Sequence, residues 1–134
     1  MIVKKYLLDA NVISKLCYPK HPNNQEIVRW FLNFISTDGF EIYLPEIVSY
    51  EVRRGLCEKK LRDGNCKSLD RFEKLSGYLT YLPINTSVFR RAEELWAKAR
   101  LNGDPTASKE ALDADVLLAA IELKILSSSC LLII

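Results

Sequence analysis

Histidine is nearly absent from this sequence: His21 is the only one. The four cysteines, Cys17, Cys57, Cys66 and Cys130, include no Cys-x-x-Cys pair. Zinc held by thiolates and imidazoles is therefore not expected. Four cysteines in 134 residues are also too sparse for a disulfide scaffold. Cys17 and Cys57 fall in helical, apolar surroundings and read as reduced core thiols. No run approaches the roughly 18–20 apolar residues of a membrane span. The N-terminal stretch MIVKKYLLDANV lacks the long apolar run and cleavage site of a secretory leader. A cytoplasmic protein with no membrane partner is expected. Repeats, low-complexity tracts and long linkers are missing too. So is a dominant sign of charge: 19 basic and 17 acidic residues leave a net +2, which by itself points to no class of partner.

What is present is an ordinary globular composition on a chain that fits one domain over residues 1–134. Charge is uneven within it. From Arg53 to Lys74 there are eight Lys or Arg and four Asp or Glu, a local excess of four positive charges. That suits a surface attracting phosphates, and equally a solvated helix face.

The chain alternates strand-like and helix-like segments. Ile2–Leu8 is rich in β-formers. A short helix over Val12–Cys17 is broken by Pro19 and Pro22. Asn23 or Asn24 is placed to cap a helix running to about Ile35, with Ile27, Trp30, Phe31 and Phe34 inward. Asp38-Gly39 is a turn, and Glu41–Leu44 a second strand. Pro45 suits the first turn of a helix whose inner face carries Ile47, Val48, Glu51, Val52 and Gly55. Lys67–Leu75 reads as helix and Tyr78–Leu82 as a third strand. Thr86 or Ser87 is placed to cap a helix with Val88, Ala92, Leu95, Trp96 and Ala99 on one face, stopped at Gly103. A loop over 104–108, an apolar helix over Leu112–Leu123 and a last strand over Cys130–Ile134 follow. This order predicts an α/β domain with a mainly parallel sheet. Ligands of such sheets sit beyond the carboxyl ends of the strands, where Asp9 lies.

Three acidic positions stand out. Asp9 ends the first strand; Glu51 interrupts an apolar helix face; Asp113 and Asp115 are embedded in an apolar helix. Each has a plain role as well: Asp9 as a helix cap, Glu51 as a partner of Arg54, and the aspartates as helix-start residues. Ionised carboxylates are rarely buried without compensation. If Glu51 and one aspartate meet Asp9, a hard divalent cation with oxygen ligands, Mg²⁺ or Mn²⁺, relieves their repulsion. Such an ion also activates water and clamps a phosphodiester for in-line attack. Asn11 is placed to hydrogen-bond a carboxylate or a metal-bound water, and Arg53 and Arg54 either to stabilise charge at a phosphate or simply to solvate the helix surface. Asp113 and Asp115 point to nearly opposite sides of a helix, and spacing does not choose between them.

These residues resemble the motifs of the PIN-domain family, and within it the VapC toxins of toxin–antitoxin pairs. Leu7-Leu8-Asp9-Ala10-Asn11-Val12-Ile13-Ser14 is similar to the family's opening strand with Asp-x-Asn and a serine. Val48-Ser49-Tyr50-Glu51-Val52-Arg53-Arg54-Gly55-Leu56 is similar to its Glu-(aliphatic)-x-x-Gly helix. Asp115-Val116-Leu117-Leu118-Ala119-Ala120 is similar to its last acidic helix and favours Asp115 over Asp113. The resemblance covers about residues 1–123. It implies an α/β/α sandwich, Mg²⁺ or Mn²⁺ at Asp9, Glu51 and Asp115 with Asn11 and Ser14 supporting, and RNA cleavage. It also implies a homodimer and a small antitoxin, for which a cationic side chain placed near Asp9 is expected. The family's fourth acidic position has no counterpart: only Glu122 is acidic after Asp115, so the part from about residue 124 is shortened or altered. Ser127–Ser129 are the remaining oxygen donors there. A PIN-like module that binds protein or RNA without cleaving is the alternative reading. A phosphotransferase with a nucleophilic Asp9 is disfavoured, because Asn11 stands where a second carboxylate is wanted.

Overall fold

The computed structural model describes residues 4–37, 39–103, 109–126 and 131–133. Four strands form one sheet: β1 (Lys4–Leu7), β2 (Phe40–Pro45), β3 (Thr80–Leu82) and β4 (Leu131–Ile133). Their order is β3-β2-β1-β4 and every pairing is parallel, with Tyr6 opposite Ile42 and Leu132. Parallel strands need helical crossovers. These are α1 (Ala10–Leu16), the 3₁₀ turn Pro22–Asn24 and α2 (Gln25–Ile35) before β2. Next come α3 (Glu46–Asp63) and α4 (Lys67–Ser76) before β3, then α5 (Thr86–Leu101) and α6 (Lys109–Leu126) before β4. Right-handed crossovers put α1–α4 on one face. The return from β3 to β4 runs the other way, so α5 and α6 cover the opposite face. The result is the expected three-layer α/β/α sandwich.

Coverage on both sides explains why β1 and β2 end in apolar runs rather than alternation. Leu7 and Leu8 are completely buried, and Ile42, Tyr43 and Leu44 nearly so. Phe72 from α4, Ile13 from α1, Val52 and Leu56 from α3, and Ala120 and Ile121 from α6 complete the core. Of the inward residues expected on α2, Phe31 is buried. Trp30 and Phe34 are half-buried, packed edge-on with Tyr6.

Several local expectations are corrected. Pro45 is not in the first turn of α3; it ends β2 and occupies the N-cap position. α5 is capped by Asn85, whose side chain accepts from Val88 N, rather than by Thr86 or Ser87. Asn24 precedes α2 without a capping bond, because its amide is used elsewhere. Gly55 and Cys57 lie outside the core on exposed parts of α3, so Cys57 is a surface thiol. Leu56 takes the inward position between them. Gly103, with positive φ, follows the end of α5 as expected. Gly64 closes α3 in the left-handed region, where a Cβ would be strained. The loop 104–108, Cys130 and Ser127–Ser129 lie outside the described residues.

The turn after α1 is tied by a buried amide. Asn24 Nδ2 donates to the carbonyls of Lys15 (3.2 Å) and Tyr18 (3.0 Å). Asn24→Ala would strand both acceptors. The expected loss is about 1–3 kcal/mol of stability, read as a lower urea midpoint at unchanged slope.

Candidate functional site

β1 delivers Asp9 to the carboxyl edge of the sheet. There its Oδ1 accepts the Val12 N–H at 2.9 Å and starts α1. The plain capping role is therefore real, and it uses one oxygen. The side chain is half-buried. Asn11 and Ser14 follow on α1, both exposed.

β2 feeds α3 at the same edge, which puts Glu51 in the second turn of that helix. Glu51 is half-buried and shares a recess of about 200 Å³ with Ser14, Cys17, Tyr18, Gly55 and Lys59. Tyr18 and Lys59 are not singled out by any motif. α6 runs down into β4, so its first turns point back towards the carboxyl edge, and α6 packs on α3. Asp115 lies there but is exposed, contrary to the expectation that it is embedded among apolar side chains. Asp113 lines a different feature, an apolar groove of about 400 Å³ between α5 and α6, with Phe89, Trp96 and Val116. About 200° of helical rotation separates it from Asp115.

The structure thus brings Glu51 and Ser14 together and places Asp9 at the head of the helix that carries Ser14. Asp115 does not line their recess. Among the described residues no three acidic, imidazole or thiol side chains stand close enough to hold a metal ion. The donor chemistry does suit a hard cation. Glu58, Asp63, Glu73, Glu93 and Glu94 are ion-paired to arginines. Glu46 is also committed, accepting from Tyr81 Oη at 2.6 Å. Burial, then this bond, pushes the Tyr81 phenol up to about 12. Asp9, Glu51 and Asp115 have no Lys or Arg partner among the described residues.

The two candidate arginines are placed away from the recess. Arg53 pairs with Glu73 and lies 5.6 Å from the Phe72 ring centroid. Arg54 lies over Tyr50 at 5.4 Å rather than on Glu51. Cys17 is buried, and burial pushes its thiol up to about 11, away from nucleophilic use.

Glu122 falls on the same side of α6 as Asp115, two turns on and about 10 Å away. It lies towards the amino edge of the sheet and does not supply the missing fourth acid. It is half-buried, and burial raises its carboxyl above the usual range.

The family model described as PIN domain matches residues 6–127. The fold is similar to a chain of the VapBC2 crystal structure from Rickettsia felis, bound to a DNA fragment from their promoter. The TM-score is 0.64 at 15% identity, covering 95% of this chain and 84% of that one. It is also similar to a chain of FitAcB from Neisseria gonorrhoeae, with a TM-score of 0.53 at 23% identity, covering 94% and 84%. No curated protein sequence matches.

The raised Glu122 carboxyl carries a pH signature. Its folded value exceeds its unfolded one, so the native state binds the extra proton. The native advantage is full below the unfolded value, about 4, and is lost as pH rises through the folded value. Glu122→Gln should melt higher than the parent at about pH 7 and coincide with it near pH 4. A pH series of thermal melts checks both ends.

Proposed function

The chain belongs to the PIN-domain family, and on that premise we propose that it is a metal-dependent endoribonuclease, the toxin of a toxin–antitoxin pair. The observation that carries this reading is the contrast in charge compensation. Glu58, Glu73, Glu93 and Glu94 are paired with arginines, whereas Asp9, Glu51 and Asp115, all towards the carboxyl edge, have no Lys or Arg within ion-pairing distance among the described residues. Carboxylates without a paired cation repel one another as they approach, and a divalent ion drawn between them relieves that repulsion.

Asp9, Glu51 and Asp115 would hold Mg²⁺ or Mn²⁺. The bound ion supplies charge neutralisation at the phosphodiester and a more acidic water. The chain's own groups do the positioning. The cap at Val12 fixes the Asp9 carboxylate through one oxygen and leaves the second without a hydrogen bond among the described residues. Asn11 is placed to donate its amide to a carboxylate, and Ser14 to orient a group held at Glu51. Arg53 and Arg54 remain candidates for contact with RNA farther along the strand.

The partners follow the same reading. An antitoxin segment that brings an Arg or Lys to Asp9 supplies the compensating charge in the inhibited complex. Similarity to chains from the VapBC2 and FitAcB complexes supports a toxin–antitoxin setting. A homodimer belongs to the proposal as well, and the apolar α5–α6 groove with half-exposed Phe89 is a face for it. No helix among the described residues is long and apolar enough to cross a membrane.

A second reading rests on its own observation. Among the described residues no three donors are gathered, and on that footing the chain would be a module that binds without cleaving. Metal separates the two, since an ion bound only by the native state raises the melting temperature.

Asp9→Asn is the sharpest test, because asparagine caps a helix as well as aspartate does. Fold and cap should survive. Mn²⁺-dependent cleavage of a labelled structured RNA should fall by about 100-fold or more, as when one electrostatic contributor to a transition state is removed. Cleavage that persists in EDTA or in this variant would sink the proposal.

A further inference from the structure

Helix α3 contains a glycine that the fold does not require. Gly55 sits in mid-helix, is exposed and does not have a positive φ. A Cβ built there would meet no heavy atom within 4 Å. Alanine would strengthen the helix without a clash. No neighbour among the described residues requires a glycine here, and its bare backbone leaves α3 open to something that approaches from outside.

The surroundings indicate what approaches. Gly55 floors the recess whose α3 wall is Glu51, Gly55 and Lys59, successive turns of one helix. The two ends are about 12 Å apart along the axis. Ser14 and Tyr18 form the opposite wall. Lys59 is half-buried, with Nζ 3.3 Å from Tyr18 Oη and 5.0 Å from the ring centroid. Among the described residues no carboxylate stands within ion-pairing distance of it. Tyr18 keeps 37% of its surface exposed. The recess therefore has an ammonium and an aromatic ring at one end and a carboxylate at the other.

We propose that this recess is a nucleotide subsite for single-stranded RNA. Lys59 holds a backbone phosphate, away from the repulsion of Glu51. Tyr18 offers its ring to a base. Gly55 lets the sugar–phosphate backbone reach α3. The inference rests on the ribonuclease reading and deepens it, assigning Tyr18, Gly55 and Lys59 as positioning residues beside Glu51. A helical protein partner finds a larger and more apolar face in the α5–α6 groove, whereas this recess carries both an ammonium and a carboxylate.

The test uses the full chain and a fluorescein-labelled single-stranded oligoribonucleotide. Binding is followed by anisotropy in Ca²⁺ and cleavage by gel in Mn²⁺. Gly55→Ala should melt at or above the parent yet bind at least about tenfold more weakly, as Tyr18→Leu should. In cleavage, KM should rise while kcat holds. Lys59→Gln should also flatten the slope of log affinity against log salt by about 0.7, the share of one phosphate contact. A merely structural role would not move that slope. A parent that cleaves, with variants that bind and cleave alike, overturns the subsite and leaves the nuclease reading standing. A parent that binds without cleaving, with variants that lose binding, keeps the subsite and removes the nuclease. A parent that binds no RNA overturns the subsite, as does a Gly55→Ala variant that retains RNA but loses self-association.

Discussion

The cap at Asp9 is the constraint on which the candidate site depends. β1 is an interior strand, bonded on both edges, and the chain is completely buried at Leu7 and Leu8. The chain must leave it at the carboxyl edge, where backbone groups need new partners. Asp9 accepts the Val12 N–H there and sets the start of α1. One carboxylate thus follows a strand, begins a helix and keeps a second oxygen that the cap does not use. The direction of α1 then carries Ser14 towards α3, and the Asn24 amide holds the turn that follows, with Tyr18 on it.

Charge is divided by location. Glutamates along the outer faces of α3, α4 and α5 find arginines, mostly one turn away or on the neighbouring helix. Such exposed pairs contribute little to stability. The acids at the carboxyl edge are treated differently. Glu46 is bound into the β3–α5 connection through Tyr81 and the Ile84 N–H. Asp9, Glu51 and Asp115 have no ion pair with Lys or Arg among the described residues, and on that ground they are proposed as ligands. Half-buried Glu122 is the exception: its raised carboxyl is a cost to the fold at neutral pH, and its distance from the edge gives it no share in that chemistry.

Much of this was legible from residue order. Apolar runs ending at Leu8 and Leu44 mark strands covered on both faces, and helical spacing located the helices between them. The cap of α5 was less legible, because Asn85, Thr86 and Ser87 are all good capping residues and only backbone geometry selects one. Cys57 and Gly55 were misplaced for a related reason. A helix face read from spacing has blurred edges, and the sheet decides where the buried stripe ends. The three acids could be named because aspartate after a buried strand, and glutamate on an apolar face, conflict with the residues around them.

The sequence by itself determined the α/β alternation, the strand that ends in an acid and the identity of the candidate carboxylates. Those are local matters: side-chain period, turn chemistry and polarity against neighbours. The tertiary structure decided what distance along the chain conceals. It turned Asp113 into the α5–α6 groove and Asp115 away from it, paired Arg53 with Glu73, and brought Tyr18 against Lys59 across 41 residues of chain. Contacts of that kind depend on how two helices lie across one sheet, and no spacing within either helix specifies it.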